Sequence, residues 1–281
     1  MDASIQHLYN SRLPDGGMLY AWFPAMHTRV DVLLYSKRDE TDLLRIVEAV
    51  HREVLRLERL GSYYDKRSEL AGLNRLSAVS PQVVSDELFN LLSFCIDCYE
   101  KTGGCFDVTV LSDNYVPGLV QTIRLSPESH TLFFTRPGTT IDLSGFLKGY
   151  ALEKIRGILQ GDGIENALVN MGNSSVLALG HSPVTDGWSV GFNADFSPAK
   201  GNAADVLLKN ECLTTSGNNT SERKHIISPA TGTFVEGKRG VAVVTSSGAV
   251  GEVVSTALFI AGAEQRAQIE KEFSPRLILD F

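Results

Sequence analysis

The spacing of apolar residues along the chain constrains its fold most strongly. A long amphipathic helix is predicted near the N-terminus, where apolar residues recur three and four positions apart at Leu43, Val47, Val50, Val54 and Leu57. A strand is expected before it, over residues 23–36, and Gly61 is expected to end it. A second helix is predicted from Ser85, which two acidic residues follow, to the glycine pair at 103–104.

The rest of the chain alternates less regularly between strand and helix patterns. Short runs rich in β-branched residues predict strands at CFDVTV (105–110), TTIDLSG (139–145), NALVNM (166–171), SVLALG (175–180), WSVGFNA (188–194), CLTTSG (212–217), VAVVTSS (241–247) and RLILDF (276–281). Helices are predicted at FLKGYALEKIRGIL (146–159) and GEVVSTALFIAG (251–262). Because strands and helices mix without strict alternation, and no repeat or linker interrupts them, we predict one α+β domain.

Charge and composition exclude several classes of partner. The 281 residues carry a net charge of −7 and no run of Lys or Arg, which argues against nucleic-acid binding. The chain contains no apolar stretch long enough to span a bilayer. Its first residues lack a basic region followed by an apolar one, so we expect no signal peptide and a cytoplasmic location. Cys95 and Cys98 form a C-x-x-C inside a predicted helix, which favours small buried residues over a metal or redox site.

The segment IDLSGFLKGYA (141–151) is a candidate phosphate site. It is predicted to run from a strand through a Ser-Gly turn directly into a helix, whose first N–H groups and positive dipole end suit an anion. Asp142 lies at the end of the strand pattern and Lys148 in the first turn of the helix. An ordinary strand–helix connection with a solvated lysine explains the same pattern equally well.

Glu252 and Thr256 form a candidate cation site. They stand four residues apart in a predicted helix, so a carboxylate and a hydroxyl share one helical face. Mg²⁺ commonly binds one or two carboxylates together with other oxygen ligands and substrate phosphates. The alternative is a surface glutamate near a helix N-terminus, where negative charge is favourable.

Three further residues have both a functional and an ordinary interpretation. Asp107 falls inside a predicted strand, where aspartate is disfavoured, so a ligand role competes with an edge-strand position. Tyr64 can stack on a planar ring or can be an exposed loop tyrosine. His225 can transfer a proton or contact phosphate, although a single histidine in a strand is more often structural.

Eight segments, taken in order, resemble the signature blocks of the ApbE family, the FAD:protein FMN transferases. They run from about residue 20 to residue 262 and are AMHT (25–28), SYYDKRSELAGLN (62–74), GGCFDVTV (103–110), IDLSGFLKGYALE (141–153), LVNMGN (168–173), LTTSGN (213–218), HIISPATG (225–232) and VVSTALFIAG (253–262). The resemblance implies a single-domain α+β fold of the T-fold-related ApbE type over residues 19–281. Residues 1–18 are then an N-terminal extension.

The resemblance also implies an activity. Family members of this kind bind FAD and a divalent cation, here expected to be Mg²⁺. They cleave the FAD pyrophosphate, attach FMN through a phosphoester to a Ser or Thr of an acceptor protein, and release AMP. Two alternatives stay open: a pyrophosphatase that yields free FMN and AMP, or an FAD-binding or assembly protein with weakened catalysis. The family is largely exported, in contrast to the location expected from the N-terminus, and a homodimer is an open alternative.

The site residues follow from matching positions in these blocks. The resemblance implies FAD contacts at Met26, Tyr64, Cys105, Phe106, Asp107, Asp142, Lys148, Ile226 and Ile227. It implies a cation held by the Gly145 carbonyl, the Ala249 backbone and the Glu252 and Thr256 side chains. His225 and Lys148 are the implied catalytic residues, with His225 transferring a proton or steadying the phosphoryl group.

The chain departs from the family pattern at several block positions. His27 stands where the first block has glycine, Glu252 and Ser228 stand where the family has aspartate, and Asn173 replaces the second glycine of a pair. Ser144 and Leu147 also differ from the usual strand–turn–helix block. The segment 111–132 is shorter than the usual insertion. Because Glu252 is one methylene longer than aspartate, we expect a shift of either the cation or the helix.

Overall fold

Side-chain caps mark the starts of three of the helices. In the computed structural model, which describes residues 4–13, 16–191, 205–218, 226–237 and 239–281, the first predicted helix is α1 (Glu40–Gly61). Asp39 caps it by accepting a hydrogen bond from the backbone N–H of Asp42. The other helices are α2 (Glu69–Leu76), α3 (Asp86–Lys101), α4 (Leu147–Gly161), α5 (Gly248–Ile260) and α6 (Ala263–Phe273).

Strands account for most of the remaining regular structure. In chain order they are β1 (Gln6–Leu13), β2 (Gly16–Ala25), β3 (Thr28–Ser36), β4 (Gln82–Val83), β5 (Ile123–Ser126), β6 (Thr131–Phe134), β7 (Asn166–Met171), β8 (Ser175–Leu179), β9 (Trp188–Gly191), β10 (Asp205–Leu208), β11 (Glu211–Asn218), β12 (Ile227–Ser228), β13 (Thr233–Phe234), β14 (Arg239–Thr245) and β15 (Leu277–Asp280). Within the described residues, eight of them form one antiparallel sheet in the order β1-β2-β3-β7-β8-β11-β14-β15. β4, β6 and β5 form a small separate sheet, and β9–β10 and β12–β13 form hairpins.

The core lies between the main sheet and the helices α1, α4 and α5. Along β2, Leu19, Ala21 and Phe23 are fully buried, whereas the residues between them are partly exposed, as expected for a strand with one face on a core. β8 is buried on both faces. Its Val176 and Ala178 pack with residues of the β9–β10 hairpin on the side away from the helices. Nonlocal pairing and helix packing therefore fix the ends of β8 and β11, which lie next to the candidate site.

The predicted mixed architecture is confirmed, but four local predictions are wrong. Residues 105–110 and 139–145 are turns and irregular backbone, because the carboxylates of Asp107 and Asp142 accept hydrogen bonds from residues two positions later and close turns that compete with strand pairing. The strand expected over 23–36 is the β2–β3 hairpin, which lacks the usual Asn-Gly turn signal. The loop expected after Gly61 contains α2, capped by the Ser68 hydroxyl.

The N-terminal segment contributes to the main sheet. Residues 6–13, inside the segment expected to be an extension, form β1 and pair with β2 from Gln6↔Trp22 to Leu13↔Gly16. The domain boundary near residue 19 stays a prediction. None of the helices in the described ranges is long and apolar enough to cross a membrane.

Candidate active site

A cleft of about 560 Å³ collects most of the residues implied by the sequence. It lies where the first turn of α4, one face of α5, β11, the β12–β13 hairpin and the turns after α3 converge. Predicted residues that line it are Tyr64, Cys105, Phe106, Asp107, Asp142, Gly145, Lys148, Ile226, Ile227, Glu252 and Thr256. These side chains come from segments far apart in sequence, so the fold alone brings them together. Their individual roles stay predictions.

Three expected site residues do not line the described cleft. Met26 lies in the turn of the β2–β3 hairpin and packs partly against the core. Ala249 is 7% exposed at the start of α5. His225 lies outside the described residues, which resume at Ile226.

Asp107 organises one wall of the cleft. Its Oδ1 accepts hydrogen bonds from the Thr109 backbone N–H (2.7 Å) and from the Thr109 hydroxyl (2.6 Å), and its Oδ2 lies 2.9 Å from the Tyr115 hydroxyl. Burial raises the pKa of Asp107, although these hydrogen bonds oppose the rise. The Tyr115 hydroxyl also lies 3.2 Å from the Pro229 carbonyl oxygen. Tyr115 therefore links the Asp107 turn to the segment that carries Ile226 and Ile227.

Asp142 shapes the entry into α4. Its Oδ1 accepts from the Ser144 backbone N–H (2.8 Å) and from the Ser144 hydroxyl. Burial raises the pKa of Asp142, against the opposing effects of Ser144 and of the Lys148 charge. The N-cap residue Phe146 makes no side-chain cap hydrogen bond, and the Glu252 carboxylate accepts from the backbone N–H of Gly149 in the first turn of α4. The Lys148 ammonium group and this positive helix end make the same part of the cleft suitable for a phosphate group.

Glu252 is a buried carboxylate beside Lys148. It is 3% exposed, and its Oε1 accepts a hydrogen bond from the hydroxyl of Ser175, which is fully buried at the start of β8. Burial raises the pKa of Glu252, while the Lys148 charge and hydrogen bonds from Ser175 and the Gly149 backbone oppose that rise. The family's aspartate is thus replaced by a longer carboxylate that reaches a serine of the sheet.

α4 and α5 approach each other closely beside this carboxylate. A Cβ added at Gly149 would collide with the Gly248 carbonyl oxygen and with the Glu252 side chain. A Cβ at Gly248 would lie 2.7 Å from the Gly149 carbonyl oxygen. Both positions therefore require glycine, and the two glycines allow Glu252 to lie against the first turn of α4.

Thr256, the second predicted side-chain ligand of the cation, belongs to a row of three hydroxyl groups. The Thr256 hydroxyl lies 2.9 Å from that of Ser216, which lies 3.0 Å from that of Ser255. In the described part of the chain, no group of three or more His, Cys, Asp and Glu side chains is placed to bind a metal. The donors that share the cleft, Glu252, Thr256 and the backbone at Gly145, are all oxygens, the ligand type that Mg²⁺ prefers.

Comparison with known proteins decides the family. The family model described as "ApbE family" matches residues 26–277, most of the chain. The chain belongs to the ApbE family. The family resemblance expected from the eight blocks is therefore confirmed.

Curated ApbE relatives carry one name, FAD:protein FMN transferase. The protein from Treponema pallidum is 25% identical over 86% of this chain and 78% of its own length. The protein from Klebsiella pneumoniae is 27% identical over 52% of this chain, a match that spans 46% of the relative. These names support the expected enzyme class, a flavin transferase.

Solved ApbE structures share the fold. The flavin transferase ApbE from Vibrio cholerae superposes with a TM-score of 0.77 at 20% identity, over 99% of this chain and 93% of that one. The ApbE protein from Thermotoga maritima gives a TM-score of 0.75 at 22% identity, over 96% and 91%. The predicted single-domain α+β fold of ApbE type is confirmed by this likeness.

Several residues of the cleft were not predicted from the sequence. Ser174, Thr215 and Ser216 line the cleft, and Ser175 and Tyr115 hold its lining residues. The serines and the threonine lie inside or next to ApbE blocks, in hydroxyl-rich strand ends, and that composition was an available signal. No local sequence signal indicated Tyr115, because its partner Pro229 lies 114 residues away in the chain.

Three residues that depart from the ApbE pattern make local contacts in the structure. Asn173 adopts a left-handed backbone (φ 61°) and its side-chain oxygen accepts from the Asn170 amide. The Ser144 hydroxyl donates a hydrogen bond to the Asp142 carboxylate. Ser228 lies in β12, and its carbonyl oxygen accepts from the Gly232 N–H at 2.8 Å to close the Pro-Ala-Thr-Gly turn. These three substitutions each fit the local backbone.

Proposed function

We propose that this ApbE chain is a Mg²⁺-dependent FAD:protein FMN transferase. It breaks the pyrophosphate of FAD, attaches FMN through a phosphoester to a Ser or Thr hydroxyl of an acceptor protein, and releases AMP. The observation that carries the proposal is the cleft itself, in which a lysine at a helix N-terminus, a buried carboxylate and an aromatic ring converge from separate segments. The names of the relatives support the same reaction.

The residues of the cleft divide the recognition of FAD between them. Lys148 and the positive N-terminal end of α4 offer positive charge to the pyrophosphate. Tyr64, whose ring is exposed on the cleft, offers a surface to one of the planar rings. Cys105 and Phe106 contribute apolar wall, which suits a ligand that carries two aromatic ring systems.

The reaction is a phosphoryl transfer. The oxygen of the acceptor hydroxyl forms a bond to the phosphorus of the FMN half, the bridging P–O bond to AMP breaks, and the hydroxyl proton leaves to a base. Charge neutralisation and positioning provide most of the catalysis in reactions of this type. Lys148 is suited to neutralising the phosphoryl charge, because its ammonium group lies in the cleft. The carboxylates of Asp142 and Glu252 lie near it.

Glu252, Thr256 and the Gly145 carbonyl are the residues proposed to hold Mg²⁺. Their oxygen donors share the cleft, which matches the preference of this ion. A bound Mg²⁺ neutralises negative charge on the transferring phosphoryl group. The hydrogen bonds from Ser175 to Glu252 and between Ser216 and Thr256 keep both side chains at this end of the cleft.

The first prediction tests this reaction directly. Purified protein is incubated with FAD, Mg²⁺ and a flavin-acceptor domain, and intact-mass spectrometry of the acceptor is combined with chromatography for AMP. We expect the acceptor to gain the mass of FMN less water, with one AMP released per adduct. Glu252→Ala should lower the rate at least about 100-fold while FAD binding persists, because a charged ligand is lost from a site that neutralises phosphoryl charge.

Other outcomes identify the alternatives. AMP release without an adduct would show that water is the acceptor and that the protein is an FAD pyrophosphatase. FAD binding with neither product would identify a non-catalytic flavin-binding protein. Ser174→Ala is the matched control, because Ser174 lines the cleft and its hydroxyl, which lies 3.2 Å from that of Ser175, makes no direct hydrogen bond to Glu252 or Thr256 in the described residues.

A further inference from the structure

The turn between β2 and β3 places a side chain in a strained backbone conformation. Met26 and His27 form a two-residue hairpin turn between the paired residues Ala25 and Thr28, with φ values of 50° and 58°. Turns with positive φ at both central residues favour Asn-Gly, because other side chains are disfavoured in left-handed backbone. Glycine, the residue that the ApbE pattern has at position 27, would fit this turn better than His27 does. The chain therefore keeps an imidazole ring where the backbone alone favours none.

The imidazole lies against the aromatic rim of the cleft. The His27 and Tyr64 ring centroids are 5.5 Å apart and the ring planes meet at 79°, an edge-to-face contact. Tyr63 contacts Tyr64 in the same manner, at 5.2 Å and 85°. Tyr64 therefore makes edge-to-face contacts with two neighbouring rings.

Tyr64 presents an exposed ring to the cleft. Partial burial raises the pKa of Tyr64, and the nearby Asp142 charge adds to that rise. Its residue surface nevertheless remains 61% exposed while it lines the cleft. An exposed ring that is fixed before a ligand arrives loses little conformational entropy on binding, which increases affinity.

We propose that His27 is a specificity-determining positioning residue, which fixes the Tyr64 ring as a platform for a planar heteroaromatic ring of the ligand. The inference rests on the proposed function, because FAD supplies that ring. Both ends of FAD, the flavin and the adenine, have the required chemistry, and the experiment distinguishes them. His27 acts through Tyr64 and takes no part in phosphoryl transfer.

The test compares stability with affinity in the same variants. In His27→Gly the turn becomes easier to form, so we expect an unchanged or higher midpoint of thermal unfolding. We expect the Kd for FAD, measured by fluorescence titration, to rise about three- to tenfold, which corresponds to the loss of one aromatic pair contact. His27→Phe, which restores a ring, should recover most of the affinity. His27→Asn, which tolerates the backbone but has no ring, should resemble the glycine variant.

The matched control is Ser274→Gly. Ser274 also has a left-handed backbone (φ 45°), but it caps α6 away from the cleft, so its replacement should leave FAD affinity unchanged. Wild-type FAD affinity in both His27→Gly and His27→Asn would overturn the proposal. Equal loss in the phenylalanine and glycine variants would also overturn it, because a ring would then not be the active feature.

Titrations with FMN and with ADP identify the ring concerned. A loss of affinity confined to FMN supports a flavin platform, and one confined to ADP supports an adenine platform. A wild-type protein that binds none of these ligands would contradict the proposed function itself. FAD binding that does not respond to His27 would contradict only this inference.

Discussion

Single hydrogen bonds decide how this site accommodates its departures from the ApbE pattern. Glu252 is one methylene longer than the family's aspartate, and Ser175 donates to it from the start of β8. Both residues are almost completely buried, so the carboxylate depends on protein donors rather than on water. The sequence indicated Glu252 through its spacing from Thr256. It did not indicate Ser175, which is 77 residues away and meets Glu252 only through the packing of α5 on the sheet.

The second prediction concerns this pair. Ser175→Ala removes a donor from a buried carboxylate and should lower the free energy of unfolding by about 1–3 kcal/mol, measured by urea denaturation. Ser174→Ala, one residue earlier and partly exposed, should change it by less than about 0.5 kcal/mol. Equal effects of the two substitutions would show that Glu252 does not depend on the Ser175 hydroxyl.

At the scale of elements, the crossing of α4 and α5 sets the position of the site. Lys148 and Gly149 lie in the first turn of α4, and Gly248 begins α5. The sequence predicted both helices, and the Ser-Gly turn at 144–145 indicated where α4 begins. It did not indicate that the two helix starts touch, because glycine contacts between elements leave no periodic pattern in the sequence.

The third prediction uses two glycines of the same helix. Gly149→Ala should destabilise the protein by about 1–3 kcal/mol, because its Cβ would collide with the Gly248 carbonyl. Gly157→Ala has no heavy atom within 4 Å of the added Cβ and should stabilise α4 by about 0.5–1 kcal/mol. Both values come from chemical denaturation. Effects of the same sign and size would contradict the close crossing.

At the scale of the whole molecule, acid stability depends on carboxylates with opposite tendencies. Burial raises the pKa of Asp107, Asp142 and Glu252. Glu87 of α3 differs: burial favours its neutral form, but hydrogen bonds from Arg56, Lys154 and Tyr150 outweigh burial and lower its pKa from 4.5 to about 2. Since those partners belong to α1 and α4, the charge on Glu87 helps to hold three helices together.

The fourth prediction follows from the sign of that shift. A carboxylate whose pKa is lower in the folded state adds stability above its unfolded pKa, 4.5 here, and this contribution is lost as the pH falls toward about 2. The difference in unfolding free energy between wild type and Glu87→Gln should therefore shrink between about pH 6 and about pH 3. The buried carboxylates of the cleft are present in both proteins, so their contributions to the pH dependence cancel in this difference. A difference independent of pH would show that the Glu87 charge contributes nothing.

The sequence by itself determined the helices α1, α3, α4 and α5, most of the strands of the main sheet and, through eight ordered blocks, the family. Those features depend on residues close together in the chain: apolar spacing, capping side chains and short motifs. Only the tertiary structure decided that residues 105–110 and 139–145 are turns, that Tyr115 links two walls of the cleft, and that His27 lies against Tyr64. Each of these depends on side-chain hydrogen bonds or ring contacts, several of them between residues far apart in sequence. The contacts of Tyr115 and His27 form only when the sheet and helices pack, so local patterns do not record them. The two turns are closed by Asp107 and Asp142, which accept from residues two positions later and so compete with strand pairing.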